Sequence, residues 1–181
     1  MISLSVFHQL DARDRALFAR WVTGHDARRG VVRFWRTLTH AGGALATLAL
    51  TLIPILVHEM GSEFATAAAT AGRHSFIILA VSHALVQLIK RTVSRPRPSL
   101  GVGCSTLTSE PDRFSFPSGH AAAAMSVAMG YAMVFPNLTL PLVVAAAAVG
   151  ASRVYLGVHY PGDVLMGQLL ALAVGVGMVS I

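Results

Sequence analysis

Residues 37–57 read TLTHAGGALATLALTLIPILV, a stretch without formal charge that is dominated by Leu, Ala and Ile. As a helix it is long enough to cross roughly 30 Å of hydrocarbon, even with Pro54 near its far end. It therefore predicts a first spanning helix. Upstream, residues 1–36 interleave Arg13, Arg15, Arg20, Arg28, Arg29, Arg33 and Arg36 with Phe7, Leu10, Leu17, Phe18, Trp21, Phe34 and Trp35, the pattern of an interfacial helix. At helical pitch Leu10, Leu17, Phe18 and Trp21 cluster, but Asp11 and Asp14 intrude on the same arc. Downstream, apolar runs at 74–89 (extendable back to Gly72), 120–135, 138–151 and 164–181 predict four more crossings. A polar loop at 91–119, the Pro136-Asn137 turn and a short connection at 152–162 separate the last four. The expected fold is an all-α integral membrane bundle of about five transmembrane helices in one domain, with 1–36 at the interface and 37–181 forming the bundle.

Composition agrees with a bilayer protein. Of the 181 residues 54% are hydrophobic and 12% charged, and the mean hydropathy is +0.63. The pI near 10.7 comes from a largely arginine excess beside apolar runs. That placement fits membrane-surface and phosphate contacts, and no nucleic-acid module accompanies it. The lone Cys104 excludes an internal disulfide. The N-terminus lacks the pattern of a cleavable signal peptide.

Five crossings would bring residues 1–36, 91–119 and 152–162 to one face, and three polar clusters lie on it at helix ends. The first is Lys90, six residues, Arg97-Pro98; the second is Pro117-Ser118-Gly119-His120; the third is Ser152-Arg153, five residues, His159, three residues, Asp163. Arg97 and Arg153 offer planar forks for paired phosphate oxygens, and Lys90 adds a point charge. Ser118 and Gly119 stand where a helix begins, so their backbone amides and the serine hydroxyl are expected to complete an anion pocket. Two histidines that titrate near neutrality suit nucleophile and acid–base roles.

These three motifs, in this order, resemble the signatures of the type 2 phosphatidic acid phosphatase family, which also includes the vanadium haloperoxidases. The resemblance implies that His159 attacks phosphorus to give a phosphohistidine, and that His120 protonates the leaving lipid oxygen and later activates water. It implies that Asp163 accepts the His159 N–H, while Lys90, Arg97, Ser118, Gly119 and Arg153 hold the phosphate. No metal or cofactor is expected, because the cations take the part of a divalent ion. Arg91 and Arg95 read as headgroup-level anchors. His40, His83 and Gln87 read as interhelical hydrogen-bonding groups.

The expected partners are a bilayer and a phosphorylated lipid; oligomeric state is left open. Phosphatidylglycerophosphate, made on the cytoplasmic leaflet, is the first candidate substrate. Undecaprenyl diphosphate, phosphatidic acid and lipid A phosphates are alternatives. A silent scaffold or transporter on the same fold is the reading from another class. Relatives usually have six spanning helices and an outward-facing site, and this chain has no apolar run before residue 37. All Lys and Arg except Arg73 lie on the predicted site face. The positive-inside rule therefore predicts a cytoplasm-facing site in a bacterial-type inner membrane.

Overall fold

In the computed structural model, which describes residues 4–22, 28–57, 61–110 and 112–179, the chain is helical throughout, with no β-strand among the described residues. The helices are α1 (Leu4–Val22), α2 (Arg29–His40), α3 (Ala44–Val57), α4 (Glu63–Val93), the short α5 (Pro98–Gly101), α6 (Gly119–Val134), α7 (Thr139–Tyr155) and α8 (Pro161–Val179). A 3₁₀ turn, Pro136–Leu138, joins α6 to α7. Residues 1–3 and 23–27 of the expected interfacial segment lie outside the described residues; its remainder forms α1 and α2 rather than one helix.

The burial pattern is that of a bundle in lipid. Large apolar side chains face outward, with Leu45 at 86%, Leu56 at 76% and Leu140 at 74% exposure. The interior is built of small and hydroxyl residues, so backbones approach closely. Gly130 on α6 lies against the backbone of Ser75 on α4, Ser75 Oγ donates to the Val127 carbonyl at 3.2 Å, and Ser82 and Ser126 hydroxyls meet at 2.8 Å. Helix α6 packs against α3, α4, α7 and α8 and is the hub of the bundle.

The predicted runs correspond to helices, with three differences. By length and composition α4, α7 with its 3₁₀ entry, and α8 can each cross a membrane, and the bent pair α2–α3 makes a fourth candidate. Helix α6, the remaining predicted crossing, has 16 residues and much of it is enclosed by the others. The run 37–57 is not one helix. It breaks between His40 and Ala44 with a 45° bend, where Ala41, Gly42 and Gly43 close i→i−3 bonds onto Leu38, Thr39 and His40. Two consecutive glycines make continued helix costly there. Helix α4 runs far beyond 74–89: Ser62 caps it, accepting from Ala65 N at 3.0 Å, and absorbs the small-residue stretch 64–72.

Candidate active site

The three motifs meet at one end of the bundle. Lys90 sits in the last turn of α4, Arg97 in the loop that follows, Gly119 and His120 in the first turn of α6, Arg153 in the last turn of α7, His159 in the five-residue connection, and Asp163 in the first turn of α8. Pro161 opens α8 at the position where its missing N–H costs nothing. A cavity of about 570 Å³ is lined by Lys90, Arg97, Gly119, His120 and His159 and continues between α3 and α4 along Thr47, Leu48, Phe76 and Leu79.

Arg97 is 1% exposed. Its Nη1 donates to the Val158 carbonyl at 2.7 Å and lies 3.3 Å from His159 Nε2. A guanidinium can only donate, so Nε2 accepts and the proton of a neutral imidazole resides on Nδ1. That leaves the Nε2 lone pair turned toward the cationic cluster. Burial lowers the His159 pKa to about 4; the Asp163 carboxylate opposes this and the Arg97 cation adds to it. The ring is therefore neutral near pH 7.

Arg153, 2% exposed, donates from Nη1 to Thr39 Oγ1 at 2.9 Å, while its Nε and Nη2 are buried without hydrogen-bond partners among the described residues. Thr39 reaches it because α2 ends at the bend. The same bend brings Gly42 so close to α6 that a Cβ there would meet the His120 carbonyl at 2.7 Å and Val149 at 2.6 Å.

Two expectations are corrected in detail. The Ser118 amide is not free for an anion, because it donates to the Asp163 carbonyl at 2.9 Å; Ser118 Oγ caps α6 by accepting from Ala121 N at 3.4 Å. Gly119 does line the cavity. Asp163 stands beside His159 but is not hydrogen-bonded to it: Nδ1 to Oδ2 is 3.6 Å. Both carboxylate oxygens are already engaged, Oδ2 by Tyr160 N at 2.8 Å and Oδ1 by Arg95 Nη1 at 2.5 Å.

Sequence reasoning missed two residues here. Arg95 is no headgroup anchor. Its guanidinium joins Asp163, Asp14 Oδ2 (2.8 Å) and Asp11 Oδ1 (2.6 Å) and lies 4.1 Å above the Tyr160 ring. Burial opposes its charge, yet the Asp163 and Asp14 carboxylates hold its pKa above the ordinary value. Asp112 was not singled out either. Its carboxylate bridges Lys90 Nζ at 2.7 Å and Arg97 Nη2 at 2.8 Å. Burial raises its pKa, but the hydrogen bonds and charges of Lys90 and Arg97 outweigh that and leave it below the usual carboxylate range.

His83 and Gln87 bond to each other within α4, at 3.2 Å, rather than between helices. Cys104 is half-buried with Sγ 3.8 Å from the Gly157 carbonyl, and burial raises its thiol pKa.

The helical bundle thus brings Lys90, Arg97, the two motif histidines and an adjoining apolar slot around one cavity. The PAP2 superfamily profile matches residues 71–181, and the chain belongs to that superfamily. It is 42% identical over 100 residues to the decaprenylphosphoryl-5-phosphoribose phosphatase of Mycobacterium tuberculosis, covering 52% of each chain. It thus spans about half the length of that relative. It is 32% identical over 146 residues to phosphatidylglycerophosphatase B of Bacillus subtilis, covering 75% of this chain and 67% of that one. The crystal structure of the transmembrane PAP2-type phosphatidylglycerolphosphate phosphatase from Bacillus subtilis superposes with a TM-score of 0.73 and 26% identity, over 96% of this chain and 88% of that one.

Proposed function

We propose that the chain is a lipid phosphatase acting through a phosphohistidine at His159, with a glycerophospholipid monoester, phosphatidylglycerophosphate first, as substrate. The observation that carries the reading is Arg153: a nearly fully buried guanidinium with two unpartnered nitrogens is costly unless an anion completes it. Lys90, Arg97, Arg153 and the Gly119 amide bind the phosphate oxygens and stabilise charge as phosphorus is attacked. His159 Nε2 forms the N–P bond as the P–O bond to the lipid breaks, and His120 gives its proton to the departing lipid oxygen. Water then attacks the phosphohistidine, losing its proton to His120, and inorganic phosphate leaves. Asp163 holds the His159 tautomer.

The slot between α3 and α4 supports lateral entry of a lipid. A relative that aligns over 75% of this chain is named phosphatidylglycerophosphatase B, which supports that substrate ahead of polyprenyl diphosphates. Phosphate release from a lipid panel, with His159→Ala and His120→Ala beside the wild type, tests the reading. Undiminished hydrolysis in His159→Ala would remove its basis and leave a fold-only role such as a scaffold or transporter.

The site faces the cytoplasm of a bacterial-type inner membrane, a reading supported by the gathering of nearly all Lys and Arg at that end. Cys104 is too enclosed to report sidedness. Leu100, 76% exposed in the same loop, is better placed: Leu100→Cys in a Cys104→Ala background labels in inverted vesicles. Labelling in right-side-out vesicles alone refutes the orientation.

A further inference from the structure

One stripe of α4 lines the cavity from end to end. Phe76, Leu79 and Ala80 come first, then His83 and Gln87, then Lys90. At a rise of 1.5 Å per residue, Gln87 and His83 lie about 4.5 and 10.5 Å from Lys90 along the axis. The wall thus passes from apolar, through neutral and hydrogen-bonding, to cationic. Phosphatidic acid has the same sequence of polarity, chain, oxygen-bearing glycerol, phosphate; in phosphatidylglycerophosphate the phosphate that leaves also sits on a glycerol, with a phosphodiester between that glycerol and the diacyl backbone. A polyprenyl diphosphate lacks the middle section.

The chemistry of the middle pair fits neutral oxygens. Polar side chains on a spanning helix are costly unless they face a partner or a cavity. These two reach no other helix in their bond to each other; Gln87 Nε2 meets His83 Nε2 at 3.2 Å, and both line the cavity. An amide nitrogen only donates, so His83 Nε2 accepts and its Nδ1 carries a proton. That N–H, the second Gln87 N–H and the Gln87 oxygen remain for a ligand. No cation stands beside the pair on this stripe until Lys90, so the section suits hydroxyl, ester or glycerol-linked oxygens better than a second phosphate dianion.

We propose that His83 and Gln87 form a subsite for the neutral oxygens of the glycerol unit that carries the monoester phosphate of a glycerophospholipid, set between the phosphate cradle and the chain slot. The assignment rests on the phosphatase reading above and adds to it the basis for choosing glycerolipids over polyprenyl lipids. The leucine pair His83→Leu/Gln87→Leu keeps bulk in the slot and removes the polar atoms.

The test is kcat/KM of the purified full chain in detergent on phosphatidic acid, phosphatidylglycerophosphate and a polyprenyl diphosphate, with the inhibition constant of orthovanadate, a tetrahedral anion that probes the cradle alone. In the double variant kcat/KM on the two glycerolipids falls roughly tenfold relative to the polyprenyl substrate, the size of one or two lost neutral hydrogen bonds, while vanadate inhibition stays within about twofold. A larger fall on phosphatidic acid identifies ester oxygens as the ligand; a larger fall on phosphatidylglycerophosphate identifies the headgroup hydroxyl. An unchanged ratio overturns the proposal. So does a collapse of vanadate affinity, which would make the pair a prop for the cradle, and so does wild-type activity confined to the polyprenyl substrate. Wild type inactive on every lipid overturns the phosphatase reading itself, a result distinct from the other three.

Discussion

Arg95→Met removes the cation that joins α1, the loop after α4 and the first turn of α8. In the wild type its nitrogens contact Asp163, Asp14 and Asp11, whose side chains are 0%, 15% and 38% exposed. Removing one member of a buried charge pair costs about 3–5 kcal/mol, because the other charge is left uncompensated. Asp11 and, in part, Asp14 can rehydrate, so the full cost falls on Asp163 and the expected destabilisation is near the lower end, ~3 kcal/mol. Arg95 does not line the cavity, so KM changes little. Asp163 loses the contact that fixes Oδ1, however, and with it the position beside His159 that the proposed mechanism requires. Outer partners of catalytic groups contribute about 10–100-fold in activity, and kcat is expected to fall within that range. Arg95→Lys restores the charge without the fork that reaches three carboxylates, and should fall between wild type and Arg95→Met. The assay is kcat and KM on phosphatidylglycerophosphate beside thermal unfolding in the same detergent. A folded Arg95→Met with wild-type kcat would show that Asp163 is held by its own helix and that Arg95 only staples α1 to the bundle.

Three further outcomes follow from the same geometry. Asp112 is a partly exposed carboxylate that bridges Lys90 and Arg97 and, on the proposed reading, competes with phosphate for them; Asp112→Asn should tighten orthovanadate inhibition roughly two- to fivefold, the worth of a partly solvated ion pair, and weaker inhibition would mean that Asp112 positions the cations instead. Gly42→Ala places a Cβ against the His120 carbonyl and Val149; overpacking of this kind costs about 1–3 kcal/mol, and kcat should drop with it because His120 has to move. His159 has a folded pKa of about 4 against an ordinary 6.5, so between those values the unfolded chain holds a proton that the folded chain does not. This contribution is fully present above pH 6.5 and is lost as pH falls toward 4, a stability loss on the order of 3 kcal/mol that pH-dependent unfolding should record in wild type and not in His159→Gln.

How much of this was legible in the sequence depends on which residues are considered. The apolar runs foretold most of the helices and the three motifs foretold which helix ends come together, because a helix that crosses lipid leaves a charge-free signature and because the motifs sit at helix ends. The bend at 41–43 was visible as Ala41-Gly42-Gly43 but not decisive, since glycine is tolerated in membrane helices. Its purpose, carrying Thr39 to Arg153, is a tertiary fact. Asp11 and Asp14 give the sharpest case. They spoiled the amphipathic pattern of the N-terminal helix, and the structure turns both toward Arg95, with Asp14 also accepting from Gly162 N at 2.8 Å and Phe18 packing edge-on to Tyr160 at 5.2 Å. A charge that breaks an apolar arc is a signal for an unseen partner. Arg95, two residues before a motif arginine, was that partner and looked like an ordinary anchor.

The charges around the pocket are arranged unequally, and that inequality bears on the proposed binding of a phosphate dianion. Lys90 and Arg97 share Asp112, and Arg95 is surrounded by three carboxylates. Arg153 has only the Thr39 hydroxyl among the described residues, although it is as deeply buried as Arg97. On the proposed phosphatase reading, a bound phosphate displaces the Asp112 carboxylate from two cations and meets a third that forms no salt bridge with a carboxylate among the described residues. The first exchange is nearly balanced, since one anion replaces another. The second is a net gain, because burial has already desolvated the guanidinium and its fork is fixed in place. On that reading, affinity for the phosphate rests more on Arg153 than on Lys90, the reverse of what equal counting of motif cations implies.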